Sequence, residues 1–137
     1  MKRIILLVLF SFSFSTIITV DDDGQADYSV IQDALNVSIE GDTILVSRGT
    51  YVENLIIDKS ITLASHVIYD NLSGLDTWTA HNGLRWEVTN QNIAETIIDG
   101  SSGTEGYGSC ILIYNEDECV ESIITGFTIQ NGIGTEI

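Results

Sequence analysis

Residues Gly41–Ser65 read GDTILVSRGTYVENLIIDKSITLAS, and this stretch decides the fold. It holds three short runs, Ile44-Leu-Val46, Leu55-Ile-Ile57 and Ile61-Thr-Leu63, parted by polar turns. In each run two apolar residues flank a middle position, a spacing that turns alternate side chains to one face of a strand. The breaks at Gly41-Asp42, Arg48-Gly49 and Asp58-Lys59-Ser60 include glycines that tolerate sharp turns. The runs are too short and too closely spaced for crossover helices, and they lack the Asn-Gly or Asp-Gly links of simple hairpins. The pattern predicts a coil of parallel strands, about three per turn, with successive coils about 4.8 Å apart. An echo, VESIITGFTIQNG at Val120–Gly132, repeats the rhythm of VENLIIDKSITLAS and adds the pair Phe127/Ile129. Thr96–Ile98 supplies another strand, with Ile98 inward, because an inward Ile97 would take Asp99 in with it. The chain has no proline, which suits strands that donate N–H groups on both sides.

Upstream, Thr16–Val20 is β-branched and reads as extended, and Asp21–Gly24 reads as a turn. Ser29-Val-Ile-Gln32 has the form of a capping box. Ile31, Ala34, Leu35, Ser38 and Ile39 then follow helical spacing, and Gly41 is a natural stop. A helical cap at about 29–39 is predicted to cover the open first coil, because a bare strand edge invites aggregation. Downstream, the polar segment at about 66–94 carries Tyr69, Trp78, His81, Arg85 and Trp86. It reads as an insertion from one coil corner, with a short β-piece at Leu84–Thr89. Loops of this length are usually functional or disordered.

Lys2 and Arg3 precede an apolar run from Ile4 to Phe14 broken only by serines, with small residues at Ser13 and Ser15. Residues 1–15 read as a secretory signal peptide cut after Ser15; the run falls short of the ~20 residues of a membrane-spanning helix. The expected localisation is therefore secreted or cell surface, with no membrane insertion after signal removal. The remaining domain, 16–137, is expected to be the N-terminal part of a longer stack, because a stacked repeat needs a capped terminus and no polar cap follows Gly132. The whole chain carries a net charge of −15, and without residues 1–15 three basic face twenty acidic side chains. Such a chain repels phosphate backbones and anionic lipid surfaces, so nucleic acid is excluded as a partner. Neutral glycans or cations are compatible; anionic polysaccharide would need a bridging Ca²⁺.

Five pieces carry a family resemblance: DYSVIQDAL (27–35), GDTILVSRGTYVENLII (41–57), KSITLAS (59–65), ETIIDG (95–100) and GFTIQNG (126–132). In series they resemble the opening of secreted proteins of the pectin lyase-like superfamily, in which a GTYxEN element, here Gly49–Asn54, marks an early coil. The resemblance implies an all-β fold, a right-handed single-stranded parallel β-helix (a solenoid) with a short N-terminal capping α-helix. The superfamily holds pectate lyases, polygalacturonases, pectin esterases, alginate-modifying enzymes and many surface proteins, so the fold carries over better than any activity.

No catalytic constellation matches. Family lyases need clustered Ca²⁺-binding aspartates and a base, but Arg48 sits in a turn and Arg85 in the insertion. Asp99 is a single strand-end acid that reads as a turn cap. Asp21-Asp22-Asp23-Gly24 departs from the spaced Ca²⁺ loop, with Gln25 where the third acid belongs; it reads as a solvated turn, and no metal ligand or cofactor is assigned beyond a weak Ca²⁺ alternative. Trp78 and Trp86, with Tyr69, are the candidate carbohydrate-binding residues, since flat aromatic faces stack on sugar rings; the competing reading buries one or both to anchor the insertion. Cys110 and Cys119 either form a disulfide across CILIYNEDEC or leave Cys110 as a small buried hydrophobe. The expected function is an exported scaffold or binding module for extracellular or cell-surface polysaccharide. The alternative is the N-terminal part of a polysaccharide lyase, hydrolase or pectin esterase whose catalytic coils lie downstream.

Overall fold

The structure, a computed structural model, describes residues 14–72, 78–81, 85–116 and 119–135, and of 78–81 and 85–87 the backbone alone. The chain is mostly strand, in short parallel sheets, with few helices. In order come β1 (Ile17–Val20), α1 (Ile31–Val37), β2 (Thr43–Val46), β3 (Gly49–Val52), β4 (Leu55–Ile57) and β5 (Thr62–Ser65). A 3-10 turn (His66–Tyr69), β6 (Trp78–His81), β7 (Arg85–Val88), α2 (Gln91–Ala94) and β8 (Thr96–Asp99) follow. A second 3-10 turn (Gly100–Ser102), β9 (Tyr107–Gly108), β10 (Ile111–Ile113), β11 (Ile123–Thr125), β12 (Thr128–Gln130) and β13 (Gly134–Thr135) complete the described chain.

Three parallel sheets result: β1-β2-β5-β11, β3-β8-β12 and β4-β10. The chain visits them in one repeating order: β2, β3 and β4, then β5, β8 and β10, then β11 and β12. In-register pairing stacks like on like. Ile18, Ile44, Leu63 and Ile124 align in the first sheet, Tyr51, Ile98 and Ile129 in the second, and Leu55 with Ile111 and Ile57 with Ile113 in the third. Ile44, Leu63 and Ile98 are fully buried, and Val46, Tyr51, Leu55, Ile57 and Ile61 join them in one core. The two-residue spacing of the sequence thus selects the inward residues, Ile98 rather than Ile97 among them.

The echo at Val120–Gly132 has a different register from its sequence match. β11 stacks on β5 and β12 on β8, so the echo spans the first and second sheets. VENLIIDKSITLAS runs from the second sheet through the third into the first. Strands of three or four residues look alike whichever face they build, so rhythm alone did not fix the pairing.

Helix α1 packs against β4, β1 and β2 and buries Ile31, Ala34 and Leu35. It differs from the sequence reading in its cap. Val30, not Ser29, holds the N-cap position and makes no side-chain cap bond. The Glu53 carboxylate accepts instead from the backbone N–H of Ile31 and of Gln32, each at 2.9 Å. Anions suit this end of a helix, where backbone N–H groups lack partners. Gln32 is then free to act as a peptide mimic: its Oε1 accepts from Ile56 N at 2.8 Å and its Nε2 donates to Ile56 O at 3.2 Å, satisfying the outer edge of β4. Ile39 lies beyond the helix and is exposed.

The cysteines do not bridge. Both thiols are free, with Cys110 buried and Cys119 exposed. Cys110 Sγ donates to Gln130 O at 3.0 Å, and a Cβ at Gly100 or Gly132 would come within 3 Å of it.

Candidate functional site

The excursion between β5 and β8 is tied at its base by polar side chains from three places in the chain. Ser65 Oγ accepts from Val67 N at 3.3 Å and starts the 3-10 turn, which buries Val67 and leaves Tyr69 63% exposed. The His66 and Tyr69 rings lie 6.1 Å apart in a tilted arrangement. Next comes Asp70, whose Oδ2 accepts from Asn90 Nδ2 at 2.8 Å and Asn92 Nδ2 at 2.9 Å. These two amides, with a smaller contribution from Arg48, hold the Asp70 carboxyl below its ordinary value against the opposing effect of burial.

Asn90 also caps α2, accepting from Ile93 N at 3.3 Å. Asn92 Oδ1 accepts from Arg48 Nε at 2.9 Å, and Arg48 Nη1 reaches Gln91 Oε1 at 3.2 Å and Glu95 Oε2 at 3.4 Å. Gly49 N donates to Glu95 O at 2.8 Å. Asp70, Asn92 and Arg48 therefore link both ends of the excursion to the corner between β2 and β3. The sequence reading saw Arg48 only as a cation in a turn and missed Asp70, Asn90 and Asn92. Asn90 ahead of Ile93 was the one available signal, as an N-cap residue type.

On this base stand β6 and β7, an antiparallel pair in which Trp78 faces Val88 and Ala80 faces Trp86. Positions 78 and 86 fall on the same side of the ladder, two register steps apart, because cross-strand partners share a face and alternate residues of a strand do too. The side chains of Trp78 and Trp86 lie outside the described residues, as does the loop between the strands. The β-piece expected at Leu84–Thr89 corresponds to β7.

A second polar centre sits where β8 ends. Asp99 Oδ1 accepts from Ser101 N at 2.9 Å; Oδ2 accepts from Gln130 Nε2 at 3.0 Å and Asn131 Nδ2 at 2.8 Å. The bonds from Ser101, then those from Asn131 and Gln130, bring this carboxyl down to about 2. An acid so held is an ionised acceptor at neutral pH and tightens a turn between stacked strands. Asn54 does similar work one corner away, donating to Gly100 O at 3.1 Å and Ser109 O at 2.9 Å.

The Asp21–Gly24 turn is self-bonded, with Asp21 Oδ1 accepting from Asp23 N at 3.3 Å. Asp22 Oδ2 instead accepts from Thr50 N at 3.2 Å, on the outer edge of β3. It lies so close that a Cβ on Gly49 would meet the carboxylate at about 2.5 Å. Among the described residues, no group of three His, Cys, Asp or Glu side chains is placed to hold a metal ion, and no helix is long and apolar enough to cross a membrane. A concavity of about 760 Å³ lies at the end of the sheets formed by β10, β11 and β12, lined by Ile111, Ile113, Ile124 and Ile129.

Comparison with family models, with curated proteins and with solved structures finds no match.

Proposed function

We propose that the chain is an exported, right-handed parallel β-helix of the pectin lyase-like type, working as a scaffold that presents its insertion to extracellular polysaccharide. The repeated visiting of three parallel sheets in one order, with in-register apolar columns, supports the helical part of this reading. Further coils stacked on β10, β11 and β12 belong to it, and the exposure of the inward-column residues Ile113 and Ile129 supports them. The observation that carries the binding role is the clasped insertion. Asp70, Asn92 and Arg48 fix its base, Tyr69 is exposed beside it, and the register puts both tryptophan positions on one side of a hairpin. A hydrogen-bonded base below two tryptophan positions on one side of a ladder suits a sugar, which binds aromatic rings by stacking at low entropic cost. The strong negative charge favours neutral glycans over anionic ones.

A pull-down on insoluble neutral glycans tests this. The purified protein is retained, and Trp78→Ala, Trp86→Ala and Tyr69→Ala each weaken retention, by up to about tenfold per aromatic, with the melting temperature unchanged. Retention that survives all three changes sinks the proposal. A stability loss of about 3–5 kcal/mol in either tryptophan variant makes that residue core. Pectate, polygalacturonate and alginate are left intact; release of unsaturated or reducing ends would favour the enzyme alternative.

A further inference from the structure

Asp42 is buried, only 3% exposed, and no Lys or Arg lies within ion-pair distance of it among the described residues. One carboxylate oxygen is used locally, accepting from Ile39 N at 2.9 Å. The other points at the start of β1, where it accepts from Thr16 N at 2.8 Å and Thr16 Oγ1 at 3.1 Å. Thr16 is also where pairing with β2 begins, since Thr43 N donates to Thr16 O at 2.9 Å. Three hydrogen bonds satisfy this carboxylate, and two of them come from Thr16, so a positive charge at Thr16 N would meet an acceptor already aimed at it.

We propose that Asp42 is a receptor for the new N-terminus: cutting after Ser15 turns the exposed Thr16 amide into an α-ammonium that forms an ion pair with the buried Asp42 carboxylate. The proposal rests on the export reading. In the cut the Ser15–Thr16 C–N bond breaks; water gives its hydroxyl to the Ser15 carbonyl and a proton to Thr16 N, and the amine takes a further proton from solvent. An α-amine with an ordinary value near 7.7–8.0 is already mostly charged at neutral pH, and a neighbouring carboxylate keeps it so. Processing thereby turns an amide–carboxylate hydrogen bond into an ion pair and locks β1 onto the outer edge of β2. The cut precedes folding, so the site need not be open in the folded molecule.

The full chain expressed in a secreting host provides the test. Mass spectrometry finds Thr16 as the first residue of the exported protein. A glycine inserted between Ser15 and Thr16 leaves the cleavage residues intact but displaces the ammonium by one residue. The product is less stable by up to about fivefold in the unfolding constant, the upper end of what an exposed ion pair contributes. In an Asp42→Asn background the two starts are equally stable. Equal stability with Asp42 intact, or a gap that survives Asp42→Asn, overturns the proposal. If Asp42→Asn does not fold, the insertion comparison alone decides. A mature start at another residue sinks this inference and leaves export standing, whereas retention of residues 1–15 sinks the export reading and this inference with it.

Discussion

At one end of the strand stack, β2 is covered by β1, the outer edge of β4 by Gln32 of α1, and the outer edge of β3 by Asp22. At the other end β10, β11 and β12 have no outer parallel partner among the described strands. The same columns therefore change character along their length. Ile57 is 1% exposed and its partner Ile113 43%; Ile98 is fully buried and its partner Ile129 50% exposed. Side chains of one type, in one register, contribute very different burial according to which layer they occupy. The covered end shows three ways of satisfying a strand edge: another strand, a side-chain amide that imitates a peptide, and a carboxylate. A mixed solution of this kind answers the edge problem without a symmetrical lid.

The contrast breaks most clearly on core truncation. Leu63→Ala, in the middle layer, costs about 3 kcal/mol in urea denaturation, while Ile129→Ala at the open end costs less than about 1 kcal/mol, because a half-exposed side chain leaves no closed cavity. Equal losses would mean that the open end is packed as tightly as the middle.

At the covered end Glu53→Ala removes the acceptor for two helix N–H groups and costs about 1–2 kcal/mol, with loss of helical circular dichroism. Ser29→Ala changes stability by less than about 0.5 kcal/mol. The reverse order would restore the local capping box.

A smaller effect follows from acid. The folded value of Asp99 lies at about 2, below its ordinary 3.8. Its contribution to stability is therefore fully present above the ordinary value and is lost as pH falls through the folded one. Asp42 and Asp70 are shifted in the same direction. For Asp42 burial alone would raise the carboxyl, and the bonds from Ile39 and Thr16 outweigh it. Urea midpoints measured down to about pH 2 should fall less steeply for Asp99→Asn than for the parent; an unchanged slope would show that Asp99 does not hold the β8–β12 corner.

The mildest probe leaves stability untouched. A thiol reagent labels Cys119 at once and Cys110 only on unfolding, as their exposure dictates. Failure of both to react in the native protein would indicate a bridge after all.

Much of the frame was legible in the sequence because it is local. The i, i+2 apolar pairs identified the inward residues of β2, β4 and β5, and the end of the helical periodicity before Gly41 placed α1 within two residues of its observed limits. The contacts that close the structure were not legible. Glu53 reads as a turn acid until the fold brings it under Ile31 and Gln32, and Arg48 reads as an isolated cation until Asn92 and Glu95 return to it. The register of the echo was equally hidden, since a three-residue strand carries no mark of the sheet it joins.

The sequence by itself determined that short strands alternate with tight turns, that a helix precedes them, and that a long polar segment interrupts them. These follow from side-chain periodicity and backbone preference, which act over a few residues. Only the tertiary structure decided which carboxylate caps the helix, which side chains clasp the insertion, and which buried acid faces the start of β1. Those are pairings between residues some twenty to fifty positions apart, made when parallel stacking brings distant corners together, and no local preference encodes them.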